Sequence, residues 1–209
     1  MSIAIVKKPK LMTAEEFYDW VHRPENENKW FELVRGEVIE LPPPAKPHGF
    51  VTNNVGRILG NYTFQRRKGY VASNDTGVIL ERDPDIVRGP DVALYEDAQT
   101  FAELHPKYGE VLPRLAVEVL SPNDRADKVL GKINDYLRSG VELVWLIDPR
   151  ARTVTVYRPD RAAQVLDESQ ELDGEDVLPG FRCRVTDFFS LPGEQQVPKI
   201  KPPRKRRRS

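Results

Sequence analysis

Apolar residues recur along the chain with two different periods, and each period predicts one kind of element. Thr13 and Glu16 form a capping-box signature that starts a short helix. Helical spacing returns over residues 48–68 and again over about 125–139, where Gly140 ends the pattern. We therefore predict three helices, the second of which packs an amphipathic face on a sheet.

Short apolar or alternating runs predict the strands. A hairpin is expected over 30–41. A proline-rich loop, 42–47, follows it because its four prolines lack amide donors, and it leads to His48. A short helix near 101–104 and a terminal hairpin with a last packed segment complete the pattern. The other strand-like segments are 70–81, with a break at Asn74-Asp75, then 91–95, 114–120, 143–148 and 153–158.

The order of these elements predicts an α/β (α+β) fold, with a central mixed sheet flanked by helices and an N-terminal helix and hairpin. The chain has 209 residues, of which 39% are hydrophobic, enough for one domain with a real core. We place this domain at 13–192, between a flexible leader at 1–12 and a disordered basic tail at 193–209. No apolar run approaches the length of a membrane span, so we expect a soluble cytoplasmic protein.

Charge is unevenly spread along the chain. The formal net charge is zero, but 199–209 hold seven cations and no acid, so 1–198 carry a formal charge of −7. Clustered cations of this kind bind nucleic acid through phosphates, which suggests DNA contact by the tail. The alternative is a solvated, disordered end that aids solubility or docks on the acidic body. Its densest part is Arg204, Lys205, Arg206, Arg207 and Arg208.

Two acidic residues stand where apolar patterning would place hydrophobic ones. Glu118 lies inside the apolar run 115–120, and Asp91 opens the strand-like run 91–95. A carboxylate in such a run needs a cationic partner, commonly a metal ion or a base. On neighbouring strands, these two carboxylates could converge on one Mg²⁺ ion, with Mn²⁺ as a substitute. The single cysteine, Cys183, excludes an internal disulfide.

The helix predicted at 125–139 offers a lysine to this pair. Lys132 lies at the edge of the apolar stripe, whereas Lys128, one turn earlier, points farther from it and is an accessory candidate. Glu32 could complete the site or pair with a cation such as Arg35. His48 could contact phosphate or act near the metal, or it could cap the helix that starts beside it.

Five motifs occur in order along the chain. They are Phe31-Glu32-Leu33-Val34-Arg35-Gly36-Glu37, Gly89-Pro90-Asp91-Val92, Ala116-Val117-Glu118-Val119-Leu120-Ser121-Pro122, Lys132 with Tyr136, and Trp145-Leu146-Ile147-Asp148-Pro149. Together they resemble the Uma-type family of restriction endonucleases, within the PD-(D/E)XK nuclease superfamily, over about 13–190. The resemblance implies a restriction-endonuclease-like fold, a divalent metal and DNA strand cleavage.

The resemblance also implies roles for particular residues. Asp91 falls in the Pro-Asp element, Glu118 is the second acid, and Glu32 matches an amino-terminal acidic position. The superfamily pattern has lysine two residues after Glu118, where this chain has Leu120, so Lys132 would supply the basic group.

Two classes of function remain open at this stage. The first is a Mg²⁺-dependent DNA endonuclease, for which duplex cleavage suggests a homodimer. The second is a non-catalytic nuclease-fold module that binds nucleic acid or protein, with the carboxylates and lysine as a structural network.

Overall fold

Three α-helices form where the sequence predicts them, and the short helix expected near 101–104 is a 3₁₀ turn at Phe101–Glu103. The computed structural model describes residues 11–194, and in it the helices are α1 (Ala14–Val21), α2 (Lys46–Arg66) and α3 (Ala126–Ser139). Thr13 and Glu16 exchange both capping-box hydrogen bonds at the start of α1. Gly140, with a φ of 111°, caps α3 in a left-handed conformation that suits glycine.

The start of α2 corrects the prediction for the proline-rich loop. The helix begins at Lys46, two residues before His48, and Pro47 lies in its first turn. Proline is tolerated there because the first amides of a helix have no carbonyl partner within it. His48 therefore lies inside the first turn of α2, and Ala45 occupies the N-cap position.

Twelve strands lie within the described residues, two of them unpredicted. They are β1 (Trp30–Val34), β2 (Glu37–Leu41), β3 (Tyr70–Ser73), β4 (Val78–Glu81), β5 (Ile86–Arg88), β6 (Val92–Tyr95), β7 (Leu115–Val119), β8 (Leu143–Asp148), β9 (Thr153–Arg158), β10 (Arg161–Asp167), β11 (Glu171–Asp173) and β12 (Arg182–Arg184). The unpredicted strands are β5, which has only three residues, and β10, which is exposed along most of its length and so lacks an apolar pattern.

A six-stranded mixed sheet forms the centre of the fold, as predicted. Its order is β10-β9-β8-β7-β6-β3, with β7 and β8 parallel and the other neighbours antiparallel. A second sheet has the order β2-β1-β5-β4, so the predicted run 70–81 divides at its break between two sheets.

Helices cover both faces of the central sheet. On one face, α2 and the C-terminal segment 177–189 pack on β7 and β8 through a cluster that includes Val117 and Trp145. On the other face, α3 packs on the same strands through a cluster that includes Ala116, Ile133 and Tyr136. Any polar group on either face is therefore buried unless a cleft opens beside it.

Parts of two sequence-based predictions fall outside the described residues. These are most of the leader, at 1–10, and the tail from 195 onward, which includes Arg204 to Arg208. From residue 11 to residue 194, no helix combines the length and the low polarity that crossing a membrane requires.

Candidate active site

The predicted site residues meet in one cleft. The cleft has a volume of about 380 Å³ and lies where the hairpin of β1 and β2, the start of α2, the loop after β7 and the helix α3 come together. All six residues singled out within the described range line it: Glu32, His48, Asp91, Glu118, Lys128 and Lys132.

Glu118 lies on the face of β7 that is turned toward α3. Side chains alternate along a strand, and Ala116, two residues earlier, packs in the cluster with α3. The two carboxylate oxygens of Glu118 contact two groups on that helix: Oε2 lies 2.9 Å from Lys132 Nζ, and Oε1 accepts a 2.7 Å hydrogen bond from the Tyr136 hydroxyl. Burial raises the pKa of Glu118 to about 8, against the opposing effect of Lys132 and with a further contribution from Asp91.

Asp91 immediately precedes β6, the strand that pairs with β7. Its Oδ2 accepts a 2.6 Å hydrogen bond from the Val119 amide, which ties it to the strand that carries Glu118. Its Oδ1 lies 3.1 Å from His48 Nε2. Burial alone would lower the pKa of His48, but the hydrogen bond and charge of Asp91 outweigh it and raise that pKa.

His48 contacts the site and does not cap the helix. The N-cap position of α2 has no side-chain hydrogen bond, so the capping interpretation is wrong. The imidazole instead lies between Asp91 and, at a long 3.5 Å, the Thr52 hydroxyl.

Lys132 is the central cation of the cleft. Its Nζ lies 2.9 Å from each of three oxygens, on Glu32, Glu118 and the carbonyl of Gly89. An ammonium group has three N–H donors, so all three are used. These acidic neighbours outweigh burial and raise the pKa of Lys132, which therefore stays charged at neutral pH. Lys128, one turn earlier, is exposed at the edge of the cleft.

Glu32 joins a buried ion network rather than a cross-strand pair with Arg35. Its side chain is 3% exposed, and its Oε2 accepts a 2.7 Å hydrogen bond from Arg88 Nη1. Arg88 also donates to Asp135 on α3, at 2.6 Å. Arg35 is exposed in the turn of the hairpin, so Arg35 is wrong as the partner of Glu32, whereas pairing with another cation is what the structure shows. No sequence pattern indicated Arg88 or Asp135, because their pairing joins residues 47 positions apart.

Asp75 is an acidic group of the cleft that the sequence analysis treated only as a strand break. It lies between β3 and β4 with a φ of 54°. Its backbone packs so closely on Gly89 that a Cβ there would lie 2.5 Å from the Asp75 carbonyl oxygen. Burial, reinforced by the charge of Asp91, raises the pKa of Asp75 to about 6. Within residues 11–194, no cation or donor contacts its carboxylate.

Replacement of Asp75 by asparagine should stabilise the protein at neutral pH. A carboxyl group whose pKa rises on folding keeps its proton in the folded state after the unfolded chain has released it, so stability falls as pH rises from about 4 to about 6. We expect Asp75→Asn to raise the free energy of unfolding by about 2 kcal/mol at pH 7 and to leave it unchanged below pH 4. Urea unfolding at both pH values measures this difference.

Asp83→Asn is the matched control for this experiment. Asp83 has a similar φ, 53°, but is exposed. Any general benefit of asparagine in a left-handed conformation would appear in both variants. An equal gain in the two variants, or one that persists at low pH, would contradict the electrostatic explanation.

The charge of the cleft fits a divalent cation. Its buried or half-buried carboxylates outnumber its buried or half-buried permanent cations, which are Arg88 and Lys132. The carboxylates are those of Glu32, Asp75, Asp91 and Glu118. Repulsion by Asp91 contributes to the raised pKa of both Asp75 and Glu118. The described residues contain no ready-made group of three or more His, Cys, Asp or Glu ligands. Two carboxylates suffice for Mg²⁺, however, because this ion keeps several waters and often binds a substrate phosphate.

The fold is similar to that of a solved structure. A crystal structure of a putative nuclease belonging to DUF820 from Anabaena variabilis ATCC 29413 matches with a TM-score of 0.69 and 22% sequence identity, over 85% of this chain and 97% of the other. At this identity the likeness shows the shared fold. Comparison with curated proteins finds no match.

The family follows from the sequence itself. Residues 14–186 match Uma2, a family described as putative restriction endonuclease. This match takes in most of the chain, and the chain belongs to the Uma2 family. The resemblance inferred from the motifs is therefore confirmed, and membership indicates a nuclease-like protein whose substrate is nucleic acid.

Proposed function

We propose that this protein is a metal-dependent DNA endonuclease that hydrolyses phosphodiester bonds at the cleft between β7 and α3. The observation that carries the proposal is the meeting of Asp91 and Glu118 beside one half-buried lysine, Lys132, in a cleft that opens to solvent. Mg²⁺ is the expected ion, and Mn²⁺ should substitute for it.

Asp91 and Glu118 would hold the cation through their carboxylate oxygens. A bound divalent cation polarises a phosphate oxygen and makes a water molecule more acidic. The chain's own groups orient these ligands: the Val119 amide and His48 fix Asp91, and Tyr136 fixes Glu118.

Lys132 has two functions in this proposal. It offsets the charge of Glu118 and Glu32, and it stabilises negative charge that develops on the phosphate during hydrolysis. Because its three donors are already used, one of the present hydrogen bonds must be exchanged for a bond to water or phosphate. Glu32, held by Arg88 as well, can release Lys132 without losing its only cation.

The direct test is DNA cleavage with added Mg²⁺. We expect the parent protein to cut DNA with Mg²⁺ and to stop when EDTA is added, and Asp91→Asn and Glu118→Gln to lose at least about a hundredfold in rate. Glu37→Gln, which changes an exposed acid on β2, should cut as the parent does. Equal cleavage by all four proteins would refute the assignment.

One observation favours a second candidate function. Both oxygens of Glu118 and all three donors of Lys132 already have partners, as in a closed structural network. A non-catalytic module that binds nucleic acid or protein would have such a network. Calorimetry distinguishes the two, because a nuclease site binds Mg²⁺ or Mn²⁺ and loses that binding in Asp91→Asn, whereas a structural network binds neither ion.

The basic tail is expected to contribute affinity that does not depend on base sequence. Deletion of residues 199–209 should weaken DNA binding and flatten its salt dependence, by up to about 0.9 in the slope of log K against log salt for each phosphate that the tail neutralises. An unchanged slope would leave the tail without this function. The contribution of the tail to DNA binding stays a prediction, because the tail lies outside the described residues.

A further inference from the structure

We propose that the substrate strand reaches the cleft unpaired, along a groove between α2 and β3, so that the protein prefers single-stranded DNA to duplex DNA. The inference depends on the proposed function for its chemistry. It concerns a different surface and strand selection, however, and its binding test requires no cleavage.

The acidic groups are too recessed for a phosphate held rigidly in a duplex. The side chains of Asp91, Glu118 and Lys132 are only 10%, 12% and 15% exposed. Enzymes that modify bases inside a narrow pocket either extrude the nucleotide or start from an unpaired strand. A recessed phosphate site likewise favours a strand whose backbone can bend. An unpaired strand can bend its backbone into this cleft without the cost of unpairing.

A groove leads from the cleft along α2. It has a volume of about 1160 Å³ and shares His48, Asp75 and Asp91 with the cleft. One wall is α2, and the other is β3, which is an edge strand of the central sheet. The groove therefore continues the candidate active site as a concave path on the surface.

The α2 wall of this path carries charge complementary to a phosphate backbone. Of the acidic lining residues, Asp75 and Asp91 belong to the end shared with the cleft, and Glu96 is paired with Arg66 and Lys68. Residues 41–74 contain no aspartate or glutamate, in a chain whose residues 1–198 carry a net formal charge of −7. Arg57 and Arg67 are exposed and line the groove, and within the described part of the chain neither has an acidic partner. They are ten residues apart, which is about 15 Å along a helix. Both can therefore contact one strand.

Phe64 offers the groove an aromatic surface for an unpaired base. It lines the groove and is 87% exposed, although it is a large apolar residue. Aromatic rings in single-strand binding proteins stack on bases of any sequence, and a duplex keeps its base faces covered. A Cβ at Gly56 or Gly60, on the same wall, would meet no atom within 4 Å, so the strand has room to approach the helix backbone.

Fluorescence anisotropy in EDTA tests the inference without cleavage. We expect the full chain to bind a single strand of about 20 nucleotides at least about tenfold more tightly than its duplex, and Phe64→Ala to lose about tenfold in single-strand affinity. The double variant Arg57→Gln/Arg67→Gln should lose a similar amount and reduce the salt slope by about 1.4, or about 0.7 for each arginine.

The control is the double variant Arg23→Gln/Lys29→Gln, which changes two exposed cations that line neither the groove nor the cleft. It should bind the single strand as the parent does. Equal or tighter binding of the duplex, or an unchanged affinity in the Phe64 and arginine variants, would overturn the inference. Single-strand binding as expected, but with no cleavage in Mg²⁺, would refute only the proposed catalysis.

Discussion

We expect Lys132→Met to abolish measurable DNA cleavage and to lower the free energy of unfolding by about 3–5 kcal/mol. Methionine has a similar length but no charge, so Glu32 and Glu118 would lose a shared buried cation. The penalty arises mainly from the uncompensated charge left behind. Glu118, whose pKa is about 8, can take up a proton already at neutral pH, so the penalty should fall mainly on Glu32.

Lys128→Met is the matched control for this variant. It removes a lysine from the same helix, one turn earlier, but from an exposed position. We expect its unfolding free energy to stay within about 0.5 kcal/mol of the parent. Cleavage rates and urea unfolding of both variants give the comparison. If Lys132→Met kept the parent's cleavage rate, the assigned role of Lys132 would be wrong.

The second large loss of stability is expected on replacement of Arg88. Arg88→Met should destabilise the protein by about 3–5 kcal/mol, because this guanidinium group bridges two buried carboxylates, those of Glu32 and Asp135. We expect the double variant Arg88→Met/Asp135→Asn to recover part of this lost stability, because it also removes one of the two carboxylate charges that Arg88 had neutralised.

Arg138→Met controls for the general loss of an arginine near Asp135. Arg138 also donates to Asp135, at 2.7 Å, but its side chain is mostly exposed. Exposed pairs of this kind contribute about 0–1 kcal/mol. Urea unfolding measures all three variants. If Arg88→Met lowered the free energy of unfolding no more than Arg138→Met, the buried ion network around Arg88 would not be a source of stability.

The convergence of Asp91, Glu118 and Lys132 could be predicted because each sits in a strong local pattern. Glu118 interrupts an apolar strand, Asp91 opens another, and Lys132 borders the apolar stripe of the next helix. Antiparallel pairing of β6 with β7 then brings the two acids close together, and the packing of α3 on the sheet brings the lysine to Glu118.

The outer part of the site could not be predicted, because it depends on long-range pairing. Arg88 ends a three-residue strand whose neighbours in its sheet are β1 and β4, and its partners lie 56 and 47 positions away. In the sequence Asp75 looks like an ordinary turn residue, and only the structure shows that it lines the cleft. Likewise, the alternation of β3 and β4 does not reveal that they belong to different sheets.

Asp91 and Glu118 should share one divalent cation while Lys132 stays paired with Glu118. Crystals of the protein soaked in Mn²⁺ test this arrangement, because anomalous scattering locates the ion and its ligands. We expect one anomalous peak within about 2.5 Å of a carboxylate oxygen of each acid. A soaked crystal with no anomalous peak in the cleft would contradict the proposed metal site.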